Sequence, residues 1–213
     1  MAADWFRDPA WDEEGRAEFE RKLGRSRPGS RSQYLRIKGL AVEEGGDLDG
    51  AESLFRRVLD EAPDSLDATA AREHLGDLAR SCGRSEEAEA HYRELIAEHP
   101  TLKATTGLAE LAVAELLIER DARTFANEAS ELLDAVARRR SALVFNSSQF
   151  RWLVARTRVA AAQGDLTTQV ESASAALELL GAGPPFSRHP TVGLAEADPE
   201  TRDWLVAACD SQV

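Results

Sequence analysis

The chain has 213 residues, 43% of them hydrophobic, which suffices for one large domain or one elongated array and excludes disorder throughout. Its 38 acidic against 26 basic residues leave a net charge of −12, a field that works against general binding to nucleic acid or anionic membranes. Cys82 and Cys209 lack metal-ligand spacing and are too few for a disulfide framework, and no apolar run approaches the roughly 18 residues of a membrane helix. With no leader-like segment at its start, the chain reads as soluble and cytoplasmic, with no cofactor or metal implied.

Residues 1–11 hold Trp5, Phe6 and Trp11, too aromatic for a free tail, and predict a packed lid. Asp12 then caps a helix with Glu13 and Glu14 in its first turn and Phe19 and Leu23 on one face, stopping near Gly24. From Arg21 to Lys38 basic residues run without an acidic one, across a linker in which Pro28 and Gly29 break the helical pattern. A helix over 32–44 ends at Gly45-Gly46, and Asp47 caps the next, whose Ala51, Leu54, Phe55, Val58 and Leu59 form an apolar stripe before Pro63. Shifted by 37 residues the same grammar returns: Gly76 for Gly39, Gly83 for Gly46, Ala88 for Ala51, Tyr92 for Phe55, Leu95 for Val58, Ile96 for Leu59 and Pro100 for Pro63. Small residues at 39, 51, 76 and 88 let two helices approach closely, and the aromatic at 55 or 92 fills the space between units.

Downstream the pattern loosens. Helical periodicity over 105–119 (Leu108, Leu111, Ala112) and 122–136 (Phe125, Ala129, Leu132, Leu133, Val136) predicts a third hairpin. After Arg138-Arg139-Arg140 and an apolar connector, Asn146 is expected to cap a helix with Gln149 three residues on, followed by Phe150, Trp152, Leu153, Val154 and Ala160. Gly164-Asp165 repeats the turn seen at Gly46-Asp47, and Leu166, Val170, Ala173, Leu177 and Leu180 complete a fourth hairpin. Gly181 to Pro185 break the helix, and Asp198-Pro199-Glu200 starts a last one whose Trp204 and Leu205 are expected to cover the open end of the stack.

The paired positions at 39/76, 46/83, 51/88, 55/92 and 63/100 resemble the tetratricopeptide repeat, most closely over residues 32–100. Leu35 and Arg72 stand where its Trp is usual, and Arg84 where Asp is commoner. The resemblance implies an all-α fold: a right-handed superhelical array of about four helical hairpins with N- and C-terminal caps. On this reading 1–213 is a single α-solenoid domain, with a cap over 1–30, two clear repeats over 31–100, two degenerate ones over 101–181 and a second cap over 182–213. A wider resemblance, carried by Asp4-Trp5-Phe6-Arg7, Gln33-Tyr34-Leu35-Arg36-Ile37 and His189 to Leu194, is to uncharacterised bacterial tetratricopeptide-repeat proteins and brings no site with it.

In this family the inward positions of each first helix line a concave groove, which here would include Gln33, Arg36, Glu73, Asp77, Arg80, Arg151 and Arg158. The implied function is a non-enzymatic scaffold that binds a peptide or protein segment, with Arg36 and Arg158 engaging its carboxylates bidentately. The family's clamp for chaperone C-termini is disfavoured, because Leu40 and His74 stand where Asn is expected. His74, His91, His99 and His189 fall in no catalytic motif, and Gly181 to Pro184 lack the preceding strand of a phosphate loop, so no catalytic residue is assigned. Two other classes stay open: nucleic-acid contact through Arg21–Lys38 and Arg138–Arg158 with Tyr34 and Trp152 nearby, and self-association through the end helices, the oligomeric state being undetermined.

Overall fold

The computed structural model describes residues 4–183, 185–186 and 188–210, and for Arg140 the backbone alone. The expected caps include residues 1–3, 184, 187 and 211–213, which lie outside the described residues, as does Pro184 of the glycine-rich loop. The described residues are helical with connecting turns, and they divide into two compact units, Met1–Thr105 and Thr106–Val213.

The first unit begins with a 3-10 turn, Trp5–Arg7, and α1 (Glu13–Arg25), whose first turn is capped by Asp12 accepting the Gly15 N–H at 2.8 Å. Two hairpins follow, α2 (Arg31–Glu44) with α3 (Leu48–Glu61) and α4 (Leu66–Ser81) with α5 (Ser85–Glu98). Both turn by the same device. Gly46 and Gly83 adopt φ of +89° and +73°, and the next residue's N–H reaches back to the helix, Asp47 to Val42 O at 3.1 Å and Arg84 to Ala79 O at 2.9 Å. Asp47 then caps α3 through the Gly50 N–H at 2.8 Å. Arg84 makes no such cap; its guanidinium instead bonds Glu52 of α3 and Glu87 of α5, each at 2.7 Å, so a cation between the hairpins replaces the commoner Asp.

The close approach anticipated at the repeated glycines is present in both hairpins. A methyl group on Gly39 would lie 2.5 Å from the Phe55 ring, and one on Gly76 would lie 2.6 Å from the Tyr92 ring. Phe55 and Tyr92 are almost fully buried, as are Ala51, Leu54 and Val58 of the α3 stripe.

The N-terminal aromatics do form a lid. Trp5 and Phe6 pack on Tyr34 with ring centroids 5.1 and 4.9 Å apart, and Trp11 meets Phe19 at 5.7 Å. What fastens the lid is Lys38, which is 1% exposed and therefore no member of a basic surface. Its Nζ donates to the carbonyls of Asp8 (2.5 Å) and Ala10 (2.9 Å) and lies over the Trp11 and Phe19 rings. Burial pulls its pKa below the ordinary lysine value, with Asp8 acting weakly the other way.

In the second unit, α6 (Ala109–Arg138) is interrupted at Asp121, whose φ of −167° and ψ of 96° are extended. A straight helix of this length would hold its ends about 45 Å apart. Instead Arg139, just past the end, donates to Gly107 O (3.1 Å) and to both Glu110 oxygens (3.0 and 2.5 Å) at the start, so the two arms fold back on each other. The third hairpin is present, joined by one residue. Asp121 caps the second arm through the N–H groups of Arg123 (3.0 Å) and Thr124 (3.2 Å).

The fourth hairpin, α7 (Asn146–Gln163) with α8 (Leu166–Gly181), reuses the glycine turn: Gly164 has φ +74°, the Asp165 N–H reaches Ala160 O at 2.9 Å, and Asp165 caps through Thr168 N–H at 3.0 Å. Asn146 is not the cap expected of it. It is the first helical residue, and the start of α7 is served from elsewhere in the chain, Ser147 N–H donating to Gly193 O at 2.9 Å. Gln149 reaches Leu143 O at 2.8 Å. Asp198 caps α9 (Pro199–Cys209) through Thr201 N–H at 2.7 Å, and Leu205 is buried with Phe150, Ala173 and Ala176.

These contacts set two opposite outcomes for one substitution. Gly39→Ala gains about 1 kcal/mol of helix propensity but loses about 1–3 kcal/mol to overpacking against Phe55, so it is expected to lower stability in urea denaturation, with recovery in a Phe55→Leu background. Gly24→Ala, in a helix position with nothing within 4 Å of the added carbon, is expected to raise stability by up to about 1 kcal/mol. Separately, Lys38→Met is expected to release the lid, read as faster proteolysis within residues 4–12 while the far-ultraviolet helical signal persists.

Candidate functional site

In the first unit, Gln33 and Arg36 lie on α2, and Glu73, Asp77 and Arg80 on α4. Gln33 is exposed and Glu73 is buried. Arg36 already has a carboxylate: its Nε donates to Asp67 Oδ1 at 2.8 Å, and Ser32 Oγ donates to Asp67 Oδ2 at 2.9 Å. Both members of the Arg36–Asp67 pair keep about a fifth of their side chains exposed (22% and 21%), so the pair clamps α2 to α4 from a partly sheltered position. Asp77 accepts a 2.6 Å hydrogen bond from the Tyr92 hydroxyl. Two unanticipated groups join this face. Burial, reinforced by Asp77, raises the Glu43 pKa, and burial lowers that of His74, with Asp77 opposing and Arg36 assisting.

In the second unit, Arg151 is matched bidentately to Glu115, at 3.0 and 2.7 Å. Arg158 differs. Its guanidinium carbon lies 5.4 Å from the centre of the Trp204 ring, and among the described residues it has neither a hydrogen-bond partner nor an ion pair. It lines an open groove of about 740 Å³ between α7, the Asp121 break of α6 and the first turns of α9. Ile118, Ala122, Ala161 and Ala162 give the groove an apolar lining; the short side chains of the alanines leave its volume unfilled. Glu119, Arg123, Asp198 and Glu200 bring charge to it.

Among the remaining cations of the two basic segments, Arg21 and Lys22 pair with Glu18 at 2.7 and 3.0 Å, Lys38 is buried and Arg139 holds Glu110. Arg25 and Arg27 are exposed, and Arg156 lies 5.2 Å from the Trp152 ring centre, as Arg158 lies over Trp204. The side chain of Arg140 lies outside what is described. Sequence reasoning missed Trp204 as a groove residue, assigning it to the end of the stack. The available signal was that α9 follows a complete hairpin and so occupies the place of another first helix.

Residues 13–65, spanning α1 to α3 and the turn beyond, match the family model for the tetratricopeptide repeat. Over these residues the chain is similar to the tetratricopeptide repeat. The match starts at α1, so this helix belongs with the repeat pattern as well as with the lid it supports. No curated protein is matched by the chain. Tetratricopeptide repeats as a class mediate protein–protein interaction, and among the described residues no helix is long and apolar enough to cross a membrane.

The depressed His74 pKa has a signed consequence. Below its ordinary value of 6.5 the unfolded chain binds a proton that folded His74 resists, so this residue's contribution to stability falls as pH drops from 6.5 toward the folded value and is level above 6.5. Glu43 acts oppositely in the range just above 4.5, so the readout is a difference: wild type is expected to lose stability relative to His74→Gln between pH 7 and pH 5.5, checked by urea denaturation at both.

Proposed function

We propose that this tetratricopeptide-repeat chain is a non-enzymatic scaffold whose second-unit groove takes a peptide segment of a protein partner. The observation that carries the reading is Arg158: a cation without a carboxylate partner among the described residues, lying over an indole, in an open groove lined by both charged and apolar side chains. Gln33, Arg36, Asp77 and Arg80 are candidates for a second surface on the first unit, from which the buried Glu73 drops out; the Arg36–Asp67 clamp makes Arg36 a structural cation before it is a ligand-binding one. Arg21, Lys22, Lys38, Arg139 and Arg151 have internal partners, which leaves fewer cations of the two basic segments for a phosphate-tracking surface.

A peptide array probed with wild type, Arg158→Glu and Arg36→Glu tests this. Arg158→Glu is expected to weaken binding at unchanged thermal stability. Arg36→Glu sets a carboxylate against Asp67 and is expected to cost about 1 kcal/mol or more of stability, with a smaller effect on binding at temperatures where the protein is folded. Unchanged binding in both variants removes Arg158 and Arg36 as ligand-binding cations, and with Arg158 the observation that carries the reading.

A further inference from the structure

We infer that the second-unit groove selects a mixed-charge peptide: one carboxylate taken by the in-plane N–H groups of Arg158, an apolar side chain on the alanine lining, and a neighbouring cation facing Glu119, Asp198 and Glu200. The inference rests on the reading of this groove as a peptide site and adds the chemistry of the occupant. A guanidinium drawn to a ring by its charge makes no ordinary hydrogen bond there, and its planar fork of donors matches a bidentate carboxylate. Arg158 shares the groove with three carboxylates yet pairs with none, so its donors are open before a ligand arrives and are held in place by Trp204.

The surrounding charge narrows the ligand further. The groove is lined by two arginines, Arg123 and Arg158, against three carboxylates, Glu119, Asp198 and Glu200. A phosphate dianion or an unbroken acidic run would meet net repulsion here, whereas a single carboxylate flanked by Lys or Arg meets both signs of charge in the groove. The alanines at 122, 161 and 162 supply area for a leucine-sized side chain beside the charged pair.

The test uses the full chain on an array of immobilised dodecapeptides of random sequence, blocked at both ends, with phosphoserine and all-acidic sets alongside. Enrichment of peptides that combine Glu or Asp with an adjacent Lys or Arg and an apolar residue is expected. For an enriched peptide, Glu→Gln in the peptide and Arg158→Gln in the protein are each expected to weaken binding about tenfold, and the two losses are expected not to add, as partners in one contact require. Trp204→Phe, which keeps a smaller ring, is expected to reduce the discrimination by a lesser factor. Phosphoserine or all-acidic peptides binding as well as the mixed-charge set, or an Arg158→Gln protein with undiminished preference, would overturn the inference. Ala161→Arg, which fills the groove, separates the two levels: if it abolishes binding while Arg158→Gln does not, the groove stands and the charge selection falls; if it has no effect, or no peptide binds, both fall.

Discussion

Two hairpins of this chain depend on the absence of one side chain. At Gly39 and Gly76 the first helix carries only hydrogen where its partner helix carries the ring of Phe55 or Tyr92, and the contact leaves no room for a methyl group. This close approach fixes how deeply the second helix seats, and with it the burial of Ala51, Leu54 and Val58 along the same face. Seating one face of a helix also determines which residues are left to face elsewhere. Arg36, three residues before Gly39, and Asp77, next to Gly76, are placed by the same packing. Tyr92 shows the link directly, since its ring fills the glycine seat while its hydroxyl holds Asp77.

Charge is used in the same economical way. An acid-rich chain can place nearly every cation against an internal carboxylate or carbonyl, and many of the arginines here do so: Arg36 with Asp67, Arg84 with Glu52 and Glu87, Arg139 with Glu110, Arg151 with Glu115. Most join one helix or arm to another, so they set spacing between elements and contribute modestly to stability where exposed. Against this background Arg158 has no carboxylate partner among the described residues and lies over Trp204, as Arg156 lies over Trp152.

Local signals were the legible part of the fold. Gly46-Asp47 and Gly164-Asp165 announce their turns because a left-handed residue followed by a capping carboxylate is a chain-local device. Asn146 carried the same kind of signal and misled, because the carbonyl of Gly193 arrives from distant sequence to serve the start of α7. Repeat position made Arg36, Asp77, Arg151 and Arg158 candidates, but it did not give their chemistry. Asp67 lies 31 residues from Arg36 and Glu115 lies 36 from Arg151, and nothing in either local stretch marks the pairing. Trp204 was visible as an aromatic on a capped helix, and only the tertiary structure brings its ring to Arg158.

The one-residue joint at Asp121 gives the third hairpin a property the others lack. Where Gly164 and Asp165 separate two helices, an added residue can be absorbed in the turn, because neither helix need rotate to accommodate it. At Asp121 there is no such slack. One residue more or fewer turns the following arm by about 100° about its axis and carries Ala129, Leu133 and Val136 off the buried face. The length of this segment is therefore under tighter constraint than its sequence, and natural or engineered variation in chain length belongs at the glycine turns.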